Sequence, residues 1–176
     1  MRAEVILIGL LAISPPAWSE KADRDKPVNI EADSLKVDDV RKIAVYEGHV
    51  VLTQGTLKIT ADRVEVRQDD QGFTTGDALG KPAYFRQRMD AKSGGKPDAG
   101  GEYAEGWAER IEYDSRGDKV RLVGQARLKR GEEELRGNLI IYDGPSGYYQ
   151  AQGSIDGTPG RVRAVIRPKN NAPAKP

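Results

Sequence analysis

His49 is the only histidine in the chain, and it has no second histidine and no cysteine to join it. A zinc site takes three or four ligands, so no metal centre is expected around it. As a general base it would need a serine or threonine partner, and none stands out. The plainer reading is a polar residue on the outer face of a strand. Carboxylates are plentiful, at Asp33, Asp38, Asp39, Asp62, Asp69, Asp70 and Asp114. Two of them facing across a groove would suit glycoside hydrolysis, but most stand where Asp bends and caps the backbone, so structural use is expected. The segment GDALGK (76–81) imitates a phosphate loop poorly. It is one residue short before Gly80-Lys81, continues into Pro82, and precedes no helix. No enzyme, metal or cofactor is expected.

The balance of charge excludes other classes. Lysine and arginine number 28 against 27 acidic residues, a formal net charge of +1. Charges of both signs, interspersed, keep a surface soluble and do not make a polyanion binder. Basic residues gather at Arg86, Arg88, Lys92 and Lys96 and from Arg161 to Lys169. They lack the interleaved aromatics of a nucleic-acid module, so no nucleic-acid partner is expected. A solvated rim is their reading, with a phosphorylated headgroup as the other. At the N-terminus Arg2 precedes an apolar stretch, Val5 to Ile13, which Pro15-Pro16 break before Ala17-Trp18-Ser19. Residues 1–19 therefore read as an export signal cleaved after Ser19. The stretch is far shorter than the roughly 20 apolar residues of a membrane span.

The elements that carry the remaining residues are strands. In GHVVLTQGTLKITADRVEV (48–66), Val50, Leu52, Leu57, Ile59, Ala61, Val64 and Val66 share one face of an extended chain, while Thr53, Lys58, Thr60, Arg63 and Glu65 take the other. Similar short runs, punctuated at Asp38-Asp39, Glu47-Gly48 and Gln54-Gly55, continue to the C-terminus, and no window has helical apolar spacing. The sequence also repeats itself. Ala32, Asp38, Gly48, Leu52 and Gly55 recur 76 residues later as Ala108, Asp114, Gly124, Leu128 and Gly131. At the same offset Leu35, Val37, Tyr46, Val50 and Ile59 meet Ile111, Tyr113, Leu122, Ala126 and Leu135, so the buried register survives where identities do not. The expected fold is all-β, with a dozen or more short strands in a barrel, jelly roll or curled meander. Residues 91–101 read as a glycine-rich loop, and residues 169–176 as a disordered tail.

One apolar face is thus the main feature left to explain. Its inward residues by parity are Leu52, Ile59, Val64, Val66, Tyr113, Leu122, Leu128 and Leu135. Either two sheets close on it completely, or it stays partly open and hydrocarbon fills the gap. Each methylene so buried is worth about 0.8 kcal/mol, which requires no special residue.

Residues 48–66 closely resemble the signature of the OstA-like family of lipopolysaccharide-transport proteins. VNIEADSLKVD (28–38), GKPAYF (80–85) and RVRAVIRP (161–168) are similar to its other landmarks, so the resemblance spans residues 27–168. It implies a single antiparallel β-jellyroll, open at both ends, in the periplasm, with an interior that receives the acyl chains of lipid A. It implies bridging between an LptC-like inner-membrane component and an LptD-like outer-membrane translocon, and head-to-tail self-association by strand pairing. Val28 and Ile30 match inward positions of the family's first strand, and Phe85 matches an interior aromatic after the GKPA turn. The pairing edges would be Val28, Ile30, Leu35 and Val37 at one end and Val162, Ala164 and Ile166 at the other. The alternatives are a closed structural module that only scaffolds, or the family's membrane-anchored relative. The 91–101 loop is longer and more glycine-rich than the family pattern, which leaves the register of the second half open.

Overall fold

The alternating stretch and its flanks, residues 43–68, become two twelve-residue strands joined by a tight turn at Gly55-Thr56. In this computed structural model the described residues are 26–71, 74–89, 103–117, 119–143, 148–154, 157 and 159–166. The export signal, the 91–101 loop and the 169–176 tail lie outside them. The strands are β1 (Asn29–Glu31), β2 (Ser34–Asp38), β3 (Ile43–Gln54), β4 (Leu57–Gln68) and β5 (Thr74–Arg88). They continue as β6 (Tyr103–Asp114), β7 (Lys119–Arg130), β8 (Glu133–Asp143), β9 (Tyr148–Gln152) and β10 (Arg163–Val165). All belong to one antiparallel sheet in which β3 to β8 follow chain order. β1 and β2 both pair with β3 at one edge, and β9 and β10 both pair with β8 at the other. Among the described residues the two edges do not meet, so the sheet stays open.

The strands are fewer and longer than the sequence suggests, because some glycines taken as turns are bulges inside strands. Gly48 does not end a strand: β3 runs through it, and the register with β4 jumps between Glu47 and Val50. The GKPA segment is likewise no turn. It lies within β5, at a register jump between Leu79 and Ala83, where Pro82 falls in the interrupted part of the ladder. Similar jumps occur at Thr60/Arg63, Trp107/Arg110 and Val123/Ala126. A bulge bends the strand that carries it. A line of them across neighbouring strands bends the whole sheet, and each long strand becomes two halves whose inner faces look at each other.

Small side chains mark the bend. Next to the bulges the cross-strand pairs are Val50 with Ala61, Ala83 with Ala108, and Ala126 with Gly137. Ala83, Ala108 and Ala126 are all buried. On the inside of a fold two half-strands converge, so mostly small side chains fill the crease without overpacking. The acids do serve the turns: Asp38, Asp69 and Asp114 each accept a backbone N–H two or three residues on, from Arg41, Gln71 and Arg116, at 2.9 Å.

Candidate functional site

Register places the inner face in rows that run across the sheet. On one side of the crease lie Ile30, Leu52, Ile59, Phe85, Gly106, Leu128, Leu135 and Ala164 as successive cross-strand neighbours. On the other side the row is Leu35, Tyr46, Val64, Ala78, Ile111, Leu122, Ile140 and Ala151. Beyond it run Val37, Ala44, Val66, Gly76, Tyr113, Val120, Tyr142 and Tyr149. Ten of the eleven interior residues read from the sequence stand in these rows; the eleventh, Val28, precedes β1 and is half exposed. Gly106 has no side chain because the Phe85 ring lies over it, and a Cβ there would overlap that ring.

Between the two sides runs a narrow crevice of about 40 Å³, open to solvent. Phe85, Ala104 and Leu128 form one wall, and Val120, Leu122, Ile140, Tyr142 and Tyr149 the other, with Gln87, Met89 and Arg130 completing it. Sequence reasoning did not single out Ile140 and Tyr142, although the repeat places them 76 residues after Val64 and Val66. Of the edge residues, Leu35 and Val37 are exposed on these rows, Ala164 pairs with Leu135, and Val162 and Ile166 flank β10 with large apolar surface exposed.

The opposite face carries ion pairs. Glu47 meets Lys36 at 2.8 Å and Arg63 at 2.6 Å, and Arg63 also meets Glu65 at 2.7 Å, which Arg67 contacts from its other side. Arg110 pairs with Asp77, and Arg127 with Glu134 (each at 2.8 Å). Lys36 and Arg63 hold the Glu47 carboxyl below its ordinary range. Arg63 and Arg67 do the same for Glu65, and Arg127 and Arg136 for Glu134. Half-exposed and screened by solvent, these pairs keep the face wet more than they hold the fold. Tyr84 donates to Glu105 at 2.7 Å, and burial followed by that carboxylate pushes its pKa up to about 12. His49 sits in the β3 bulge with Nδ1 2.7 Å from Asp33 Oδ2, a partner that raises its pKa. Among the described residues no three His, Cys, Asp or Glu side chains gather as a metal cluster.

An antiparallel sheet folded along a crease, with hydrocarbon inside, ion pairs outside and both edges unpaired, defines an open β-jellyroll. Residues 29–148 match the family described as LptA/(LptD N-terminal domain) LPS transport protein, and the chain belongs to that family. It is 37% identical over 140 residues to the lipopolysaccharide export system protein LptA of Escherichia coli K12, covering 78% of this chain and 71% of the relative. It is 32% identical over 174 residues to LptH of Pseudomonas aeruginosa, covering 95% of both chains. The crystal structure of LptH, described as the LptA-homologous periplasmic component of the lipopolysaccharide transport device, superposes with a TM-score of 0.72 at 31% identity. That match covers 83% of this chain and 99% of the other.

Proposed function

We propose that the chain carries lipopolysaccharide across the periplasm, with the acyl chains of lipid A in the crevice and the sugars in water. The observation that supports this most is the pair of facing walls, hydrocarbon on both sides, which continue to unpaired sheet edges. At about 0.8 kcal/mol per buried methylene, a few chains give ample binding without a special residue. In this reading residues 1–19 are removed on export, and residues 27–168 form the working domain.

The edges are the second part of the reading. An unpaired strand offers a row of N–H and C=O groups that invite addition of a further strand. Leu35 and Val37 at one edge, and Val162, Ala164 and Ile166 at the other, would continue their rows into a neighbour's inner face. The partners proposed are a second copy, an LptC-like inner-membrane component and an LptD-like translocon. The family description, which joins LptA to the N-terminal domain of LptD, supports a partner of the same fold. Native mass spectrometry of the full chain tests the carrier reading. Protein made in a lipopolysaccharide-producing host should retain lipid, and emptied protein should take up added lipopolysaccharide. Protein that does neither is no carrier.

A further inference from the structure

Among the described residues that line the crevice one is charged, and it reaches from one wall to the other. Arg130 is the last residue of β7, in phase with Leu128 and beside Ala104 in register, so it belongs to the inner face of the first wall. Tyr149 belongs to the second wall, in β9, beside Tyr142. Arg130 Nη1 donates to Tyr149 Oη at 2.9 Å, so one hydrogen bond spans the crevice on the side away from the alanine crease. The Tyr149 ring stacks on Tyr142, with centroids 6.0 Å apart and 26° between planes. Apart from Gln87 and the tyrosine hydroxyls, the other described residues of the lining offer hydrocarbon or thioether.

Hydrocarbon chains gain nothing from a cation at this point; a leucine or methionine would bury more of them. A guanidinium offers a planar fork of donors that fits the paired oxygens of a phosphate or carboxylate. A phenol is a neutral acceptor, and hydrogen bonds to an ionised acceptor are roughly twice as strong. An oxyanion reaching the mouth therefore displaces Tyr149 on favourable terms. In doing so it unties the two walls at the place where they are bridged.

We infer that Arg130 recognises the anionic head of the amphiphile whose chains occupy the crevice, and that the Arg130–Tyr149 bond is the tie which that head replaces on loading. The inference rests on the carrier reading, since it places the head by where the chains go. Phosphate groups on the sugar are the oxyanions that fit, and free phosphate shares their chemistry.

The test compares diphosphorylated lipid A with the same lipid after enzymatic removal of its phosphates. Binding is measured by displacement of a fluorescent fatty acid from the full chain, from Arg130→Gln and from Tyr149→Phe. Wild type should bind the phosphorylated form about tenfold tighter. Arg130→Gln should bind both forms alike, at the wild-type affinity for the dephosphorylated one. Tyr149→Phe should keep the preference and bind the phosphorylated form a few-fold tighter, because the guanidinium no longer gives up the phenol. Millimolar inorganic phosphate should leave the preference in place; loss of it would assign Arg130 to free phosphate and overturn the head assignment. Equal binding of the two lipids by wild type, or a preference retained by Arg130→Gln, overturns the inference and leaves the carrier reading standing. Failure of wild type to bind either lipid removes both.

Discussion

Two bends in the sheet, 76 residues apart, have the same backbone and different side chains. Gly48 and Gly124 take φ of +82° and +79°, and the residues after them, His49 and Gln125, take +46° and +45°. Each bend faces an acid at the same offset. His49 Nδ1 lies 2.7 Å from Asp33, and Gln125 Nε2 donates to Glu109 at 2.9 Å. The turn glycines match as well, Gly55 at +59° and Gly131 at +55°. The repeat thus preserves the crease, while the group that braces it is exchangeable provided a donor meets a carboxylate. Position in the sheet then separates the two copies. Leu35 and Ile111 are counterparts, yet Leu35 is 52% exposed on the edge strand and Ile111 is 3% exposed between β5 and β7.

That last contrast gives the largest expected effect. Ile111→Ala should destabilise the isolated chain by about 2–5 kcal/mol through lost burial and a cavity. Leu35→Ala should change it by less than about 0.5 kcal/mol, and should instead weaken self-association. Urea denaturation beside sedimentation measures both, and equal losses of stability would erase the distinction between edge and centre. Next come the bends. Gly48→Ala and Gly124→Ala each force a Cβ into a left-handed backbone, against the side chains of Asp33 and Glu109. Each should lower stability by about 1–2 kcal/mol, and a large difference between them would mean that the two copies do not share one crease.

The smallest effect separates the braces. Asp33, first through its hydrogen bond and then through its charge, raises the folded pKa of His49 above the ordinary 6.5. Protonated His49 therefore adds stability that is fully present below pH about 6.5 and fades as pH rises through the raised value. The Gln125–Glu109 brace has no such proton to lose. Comparing thermal unfolding from mildly acid to mildly alkaline pH, wild type should lose slightly more stability than His49→Gln. A His49→Gln profile that falls just as steeply would assign the change to other groups.

Much of the inner face was legible because two-residue periodicity names a face directly, and the repeat names it a second time. The bend was not legible. On the sequence alone Ala61 and Val64 are read onto one face of a regular strand, yet they are three apart and would point to opposite faces of one; both point inward only because the register jumps between Thr60 and Arg63. A glycine at a bulge and a glycine at a turn look alike in one sequence, which is why Glu47-Gly48 read as a strand end and β3 proved continuous. The alanines of the crease gave no signal, since small size matters only once two half-strands are known to converge. Arg130 and Tyr149 belong to different walls, and no local pattern joins them. Their meeting depends on the fold of the entire sheet.

The central claim is that the inner rows hold hydrocarbon and the outer rows meet water. Photo-crosslinking side chains placed singly at Ile30, Phe85, Arg63 and Glu65, in cells making lipopolysaccharide, test it most directly. The account predicts adducts with lipopolysaccharide from Ile30 and Phe85 and none from Arg63 or Glu65. Labelling of comparable strength at all four positions would contradict it.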